Sequence, residues 1–165
     1  MNIFHALLLG VVEGVTEFLP ISSTAHLILT SKFLGLAQTE FQTFFEVFIQ
    51  SGAILAVVFL YLRYVLEHKK ALINIILSFI PTAVVGLVLH KTIKTVFFNS
   101  NPLIIASMAV VAILFLIVEH QIKTKKLELK KNLTQITSKQ AVLIGLIQSL
   151  AVVPGVSRAG IVIIF

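Results

Sequence analysis

Between Ile3 and Leu34 the sequence is apolar enough to enter a bilayer. Yet it carries the carboxylates of Glu13 and Glu17, the hydroxyls of Ser22, Ser23 and Thr24 and the imidazole of His26, and Pro20 interrupts it. A charged side chain at the bilayer centre costs about 2.5–3.5 kcal/mol on insertion scales, so such groups mark a site. They must face other protein or a water-filled cavity. Pro20 has no N–H and crowds the preceding turn, so a smooth helix ends before it, and Ser22, Ser23 and Thr24 are good caps for a second helix. Each half is then roughly 11 to 17 residues, whereas a full span needs about 20. The expectation is a re-entrant helical hairpin over residues 1–35, with a single kinked spanning helix as the alternative.

The remainder of the chain is a membrane protein by composition. Of its 165 residues 58% are hydrophobic and 12% charged, with a mean hydropathy of +1.03; soluble domains carry about 25% charged residues. The net charge of +6 would point to nucleic acid in a soluble protein. Here the lysines and arginines sit in short loops, where the positive-inside rule accounts for them and no nucleic-acid partner is needed. The chain has no cysteine, which excludes disulfides and thiolate metal sites. The start, Met1 to His5, lacks a charged n-region and reads as mature protein.

In order, residues 35–43 read as a loop, 44–62 as a first transmembrane helix, 63–70 as a basic connection and 71–89 as a second span. A short loop with Lys91 and Lys94 leads to Pro102, and 103–118 is the third span. Residues 119–139 are the most charged segment, with lysines at 123, 125, 126, 130, 131 and 139. The two basic loops fall on one side, which the positive-inside rule makes cytoplasmic.

Residues 140–165 are apolar and broken again, at Val153-Pro154-Gly155-Val156-Ser157-Arg158. Ala6 to Gly10 aligns with Ala141 to Gly145, Glu13 with Gln148 and, with one gap, Pro20 with Pro154. An odd number of spans separates the copies, so the second hairpin enters from the opposite face. Inverted repeats of this kind put their site near the midplane where broken helices meet; chance similarity of two apolar segments is the alternative. A full repeat would continue, so the sequence reads as C-terminally truncated by about 90 to 100 residues, or else as a short chain completed by a second copy.

Glu13 and Glu17 are four apart and share a helical face, able to hold a divalent cation with a phosphate or to divide acid and base roles. Gly10 and Gly14 repeat at the same spacing, which invites close approach of another helix. The second half-helix opens at Ser22-Ser23-Thr24, where free N–H groups favour an anion. His26 lies within one turn of Ser22 and Ser23, so hydroxyl, imidazole and carboxylate form the pattern of an activated nucleophile; the alternative makes the serines caps and His26 a buried structural residue. From the other hairpin, Gly155 permits a tight turn, and Ser157 with Arg158 supplies a hydroxyl and a planar cation suited to phosphate, unless Arg158 snorkels to the surface. Glu13 and Glu17 align with Gln148 and Val152, so the copies are chemically unequal and together make one composite site.

The run Glu13-Gly14-Val15-Thr16-Glu17-Phe18-Leu19-Pro20-Ile21-Ser22-Ser23-Thr24-Ala25-His26 closely resembles the signature of the bacterial undecaprenyl-diphosphate phosphatase family, which confers bacitracin resistance. Phe45-Glu46-Val47 with Ile49 to Val58 resembles that family's next segment, and Pro154-Gly155-Val156-Ser157-Arg158-Ala159-Gly160 its second motif. Ala25 and Ala159 stand where the family usually has Gly and Ser. The resemblance implies an all-α integral membrane fold with two oppositely directed re-entrant hairpins. It also implies removal of the terminal phosphate of undecaprenyl diphosphate at the outer face of the cytoplasmic membrane, recycling the carrier of peptidoglycan synthesis.

By the resemblance Glu13 and Glu17 are the acidic pair holding Mg2+ or Ca2+ with the substrate, Ser22 and Ser23 face the phosphate, His26 is catalytic and Arg158 is the clamp. The expectation is therefore a catalytic set of Glu17, Ser23, His26 and Arg158. Ser22, Thr24, Gly155 and Ser157 bind substrate, and Glu13 and Glu17 bind metal. Ser23 is the preferred nucleophile, with His26 as base or alternative nucleophile. The rival readings are an inverted-repeat transporter or lipid flippase, and an inactive fragment; homo-oligomerisation is left open.

Overall fold

The computed structural model describes residues 1–97, 100–124 and 135–164, so Lys125, Lys126, Lys130 and Lys131 of the basic segment lie outside the described residues. All regular structure among them is helical: α1 Ile3–Thr16, α2 Ser23–Phe33, α3 Glu40–Glu67, α4 Lys69–Thr92 with a π-helical extension Ile93–Phe97, α5 Asn101–Lys123, α6 Ser138–Gln148 continued by a 3-10 turn Ser149–Val152, and α7 Arg158–Ile164. In hydrocarbon every backbone donor and acceptor must be satisfied within the protein, and helices do this locally. The starts carry the chemistry that fixes them. The Asn2 side chain accepts from His5 N–H at 2.9 Å, and Thr39 Oγ1 accepts from Gln42 N–H at 3.2 Å. Thr137 and Gln140 form a reciprocal capping box ahead of α6.

Three helices, α3, α4 and α5, are long and apolar enough to cross a membrane. Their large apolar side chains are turned outward, Phe59 at 82% exposed and Leu87 at 80% among them, as expected where lipid is the solvent. This is a multi-pass membrane protein. The spans overrun the sequence expectation at both ends. Residues 63–70, read as a loop, are helical except for His68. An exposed Arg63–Glu67 pair at 2.9 Å sits on the last turn of α3, and the His68 ring stacks on Tyr64 at 4.3 Å, so the helix carries its hydrogen bonding on to the turn. Likewise the 35–43 loop shrinks, because α3 begins at Glu40.

Both broken segments are present. α1 packs on α2 across a non-helical stretch from Glu17 to Ser22, and α6 meets α7 across residues 153–157. The largest helix contact is that of α6 with α4. At its centre a Cβ on Gly145 would collide with the backbone of Ser78, and Thr82 Oγ1 donates to Gly145 O at 3.0 Å. Gly10, the repeat partner of Gly145, and Gly14 have open space around them. The expected close helix approach along them is therefore not seen among the described residues.

Two tethers locate the outer ends of the broken segments. Lys32, near the end of α2, donates to Asn101 at the start of α5. Asn74, near the start of α4, donates to Ile136 O at 2.8 Å and accepts from Ser138 Oγ at 3.5 Å at the start of α6. A small core of Ala25, Ile28, Ile104 and Met108 fills the space between α2 and α5. Ala25 is fully buried there, so its methyl is used in packing.

Candidate active site

The two breaks meet. Gly155 N–H donates to Ser22 Oγ at 3.2 Å, and a Cβ on Gly160 would lie 3.2 Å from Pro20 O. Between them lies a cavity of about 210 Å³, walled by Glu17, Ser22, Ser23 and Thr24 of the first segment, by Gln50 of α3, and by Ser157, Arg158 and Ala159 of the second, with apolar residues closing it.

At the centre is Glu17. Its Oε2 accepts from Ser23 Oγ, and its Oε1 accepts from Arg158 Nη2 at 2.7 Å. A hydroxyl, a carboxylate and a guanidinium, contributed by α2, the first break and α7, are thus joined in one chain of charge-assisted hydrogen bonds. Ser23 is 5% exposed and still lines the cavity, so the hydroxyl is shielded from bulk water while remaining open to a ligand there.

Glu13, one turn before Glu17, is 2% exposed, and neither of its carboxylate oxygens has a hydrogen-bond partner. Glu17 and Arg158 are close enough to act on it electrostatically. The Ser23 hydroxyl also lies near it, but a buried carboxylate with no formed hydrogen bond is costly, and an added cation would satisfy it. Among the described residues no group of three or more His, Cys, Asp or Glu side chains is gathered to hold a metal ion. The protein therefore offers at most the two acids, and other oxygens would have to complete the coordination.

Other expected residues are placed differently. Ser22 is the residue before α2, but its side chain caps nothing. It adopts φ +66°, the left-handed region, and is the one non-glycine residue to do so among those described; its hydroxyl is spent on Gly155. His26 does not pair with Ser23 or Glu17. Its Nδ1 lies 2.9 Å from Ser22 O, where a ring N–H must be the donor, because the i to i−4 geometry of α2 aims the ring back at that carbonyl. Gly155, expected at the substrate, lies outside the cavity wall. Its φ of +102° and its contact with Ile104, Ser107 and Met108 make it the point where the second break presses on α5. Ser157 Oγ accepts from Gly160 N–H at 3.1 Å and so caps α7 while also lining the cavity.

Gln50 and Glu46 were missed. Gln50 Oε1 accepts from Arg158 Nη2 at 3.1 Å, and its Nε2 donates to Thr24 Oγ1 at 3.3 Å and Glu46 O at 3.0 Å. Glu46 is fully buried. Its Oε1 accepts from Ser31 at 2.6 Å, Gln42 at 3.0 Å and Gln38 at 3.1 Å, a polar weld between α2 and α3. The signal lay in the spacing: Gln42, Glu46 and Gln50 are four apart and form one polar stripe on an otherwise apolar span. They are also the residues of α3 that are buried.

Residues 6–165 match the family described as Bacitracin resistance protein BacA. The chain is similar to an undecaprenyl-diphosphatase of Sulfurihydrogenibium sp. (strain YO3AOP1), 47% identical over 165 residues, which covers 99% of this chain and 64% of the relative. It is also similar to one of Persephonella marina (strain DSM 14350 / EX-H1), 48% identical over 166 residues, covering 99% and 63%. A third, of Campylobacter fetus subsp. fetus (strain 82-40), is 44% identical over 168 residues, covering 99% and 63%. The chain thus spans a little under two thirds of the length of these relatives.

Proposed function

We propose, from the premise that this chain belongs to the bacitracin resistance protein BacA family, that its site hydrolyses undecaprenyl diphosphate to undecaprenyl phosphate and inorganic phosphate. That reaction returns a lipid carrier to cell-wall synthesis. The observation that carries the reading is the Ser23–Glu17–Arg158 chain on the wall of one cavity.

Glu17 takes the Ser23 proton as Ser23 Oγ forms a bond to the terminal phosphorus. The bond from that phosphorus to the bridging oxygen breaks, and undecaprenyl phosphate leaves with that proton on its departing oxygen, so Glu17 is a free carboxylate again. Water then attacks the phosphoserine, giving one proton to Glu17, which returns a proton to Ser23 Oγ as phosphate departs. Arg158 offers N–H donors to the equatorial phosphoryl oxygens, where charge is spread in the transition state. The N-terminus of α2 adds backbone donors on the same side. Ser23 is preferred to His26 as nucleophile because it bonds the base and lines the cavity, whereas the His26 ring is turned to a backbone carbonyl.

A divalent cation, Mg2+ or Ca2+, fits the bare carboxylate of Glu13. Glu13 and Glu17 would hold it together with diphosphate oxygens, and when bound it would neutralise charge on the diphosphate. A flippase reading is not favoured by a family whose relatives are named as diphosphatases.

The segments α1–α2 and α6–α7 are read as re-entrant hairpins entering from opposite faces of the bacterial cytoplasmic membrane. The tethers of α2 to the start of α5 and of α6 to the start of α4 support this, as do the basic loops. The site then opens to the outer leaflet. The test is phosphate release from undecaprenyl diphosphate by the purified chain in detergent with Mg2+, beside Ser23→Ala. Release by the unaltered chain, lost in Ser23→Ala by about 10³-fold or more, supports the reading; equal release by both sinks it.

A further inference from the structure

Gln50 has no role in the reaction just described, and its surroundings give it one. Both hydrogens of its amide nitrogen are engaged, at Glu46 O and Thr24 Oγ1. Glu46 O can only accept, so the amide cannot be turned over without setting two oxygens against each other and facing an NH2 group to a guanidinium. Its Oε1 is therefore fixed toward Arg158, at 3.1 Å from Nη2. Gln50 is itself 8% exposed, on a rigid spanning helix, and lines the cavity.

Arg158, by contrast, is the first residue of the short helix α7, and its side chain is 43% exposed. A long side chain there has many rotamers open to it. Nη2 has two hydrogens, and two acceptors meet it: Glu17 Oε1 at 2.7 Å and Gln50 Oε1 at 3.1 Å. Both of its bonds are then used on protein. The N–H groups on Nε and Nη1 have no partner among the described residues. The guanidinium is held by one nitrogen, from two elements, with the rest of its donors left for a ligand.

We propose that Gln50 is the positioning residue for Arg158: it fixes the plane of the guanidinium, so that Nε and Nη1 present their donors to phosphoryl oxygens in the cavity. This rests on the phosphatase reading and adds a residue to it from a third helix. Glu17 alone would hold Nη2 at one point and leave the plane free to turn about it.

The test is a double-mutant cycle on the full chain with Gln50→Leu, Arg158→Lys and the pair. Two quantities are followed: the affinity for inorganic pyrophosphate by calorimetry, and KM and kcat for undecaprenyl diphosphate. Gln50→Leu should weaken pyrophosphate binding and raise KM, each by about tenfold, as expected for loss of orientation. In the Arg158→Lys background, where the planar fork is already gone, the same change should have less than about a twofold effect. A Gln50→Leu protein that binds pyrophosphate as the unaltered chain does, or whose loss adds in full to that of Arg158→Lys, overturns the proposal. So does a lowered melting temperature with affinity and KM unmoved, which is the mark of a purely structural residue. If the unaltered chain releases no phosphate, the phosphatase reading falls, and the pyrophosphate cycle still decides the role of Gln50.

Discussion

Glu17 separates the account of the site from a mere list of polar residues, because one carboxylate serves both Ser23 and Arg158. Glu17→Gln keeps the shape, cannot take the serine proton and breaks the ion pair; kcat should fall about 10²–10⁴-fold in a phosphate-release assay, and a drop under threefold would argue against a base at this position. Ser22 next door should behave otherwise. Its left-handed backbone costs about 1–2 kcal/mol for a non-glycine residue, while its hydroxyl satisfies the buried Gly155 N–H. Ser22→Ala keeps the strain and leaves that N–H bare, a cost of about 1–3 kcal/mol. Ser22→Gly loses the same bond but relieves the strain. The melting order in detergent should therefore be unaltered chain, then Ser22→Gly, then Ser22→Ala; an inversion of the two variants would show that the backbone there is unstrained.

At the level of helices the repeat is legible in sequence but its use is not. Gly10 and Gly145 occupy matching places, yet only Gly145 is crowded, against the Ser78 backbone. Gly145→Ala should destabilise by about 1–3 kcal/mol through overpacking. Gly10→Ala should be neutral or stabilise by up to about 1 kcal/mol through helix propensity. Thermal unfolding of the two proteins side by side checks this, and equal losses would mean that α1 has a partner at Gly10. The spans, both breaks and the acids, serine and arginine of the site could be read from hydropathy, proline positions and the cost of buried charge. The partner of His26 could not, since i−3 and i−4 spacing puts several acceptors within reach of one ring, and a carbonyl won. Nor was α3 read as part of the site: its hydropathy identified a span, and hydropathy averages away Gln42, Glu46 and Gln50 on a single face.

For the molecule as a whole, the apolar groups lie outside and the polar stripe of α3 lies inside, the arrangement that lipid as solvent requires. The chain has no cysteine, so single cysteines report topology cleanly. An impermeant maleimide applied to intact cells should label Ala37→Cys, between α2 and α3. It should reach Lys69→Cys and Lys139→Cys only after permeabilisation, if the basic loops follow the positive-inside rule as proposed. Labelling of all three from one side would contradict the proposed entry of the two broken segments from opposite faces. The central claim, that two broken segments build a single site in which Ser23 attacks phosphorus, is tested most directly by trapping the covalent intermediate. Undecaprenyl diphosphate carrying label in its terminal phosphate is mixed with the chain, quenched at neutral pH and the labelled peptide mapped. The account predicts label on Ser23, absent from Ser23→Ala; label on His26, or persisting in Ser23→Ala, would contradict it.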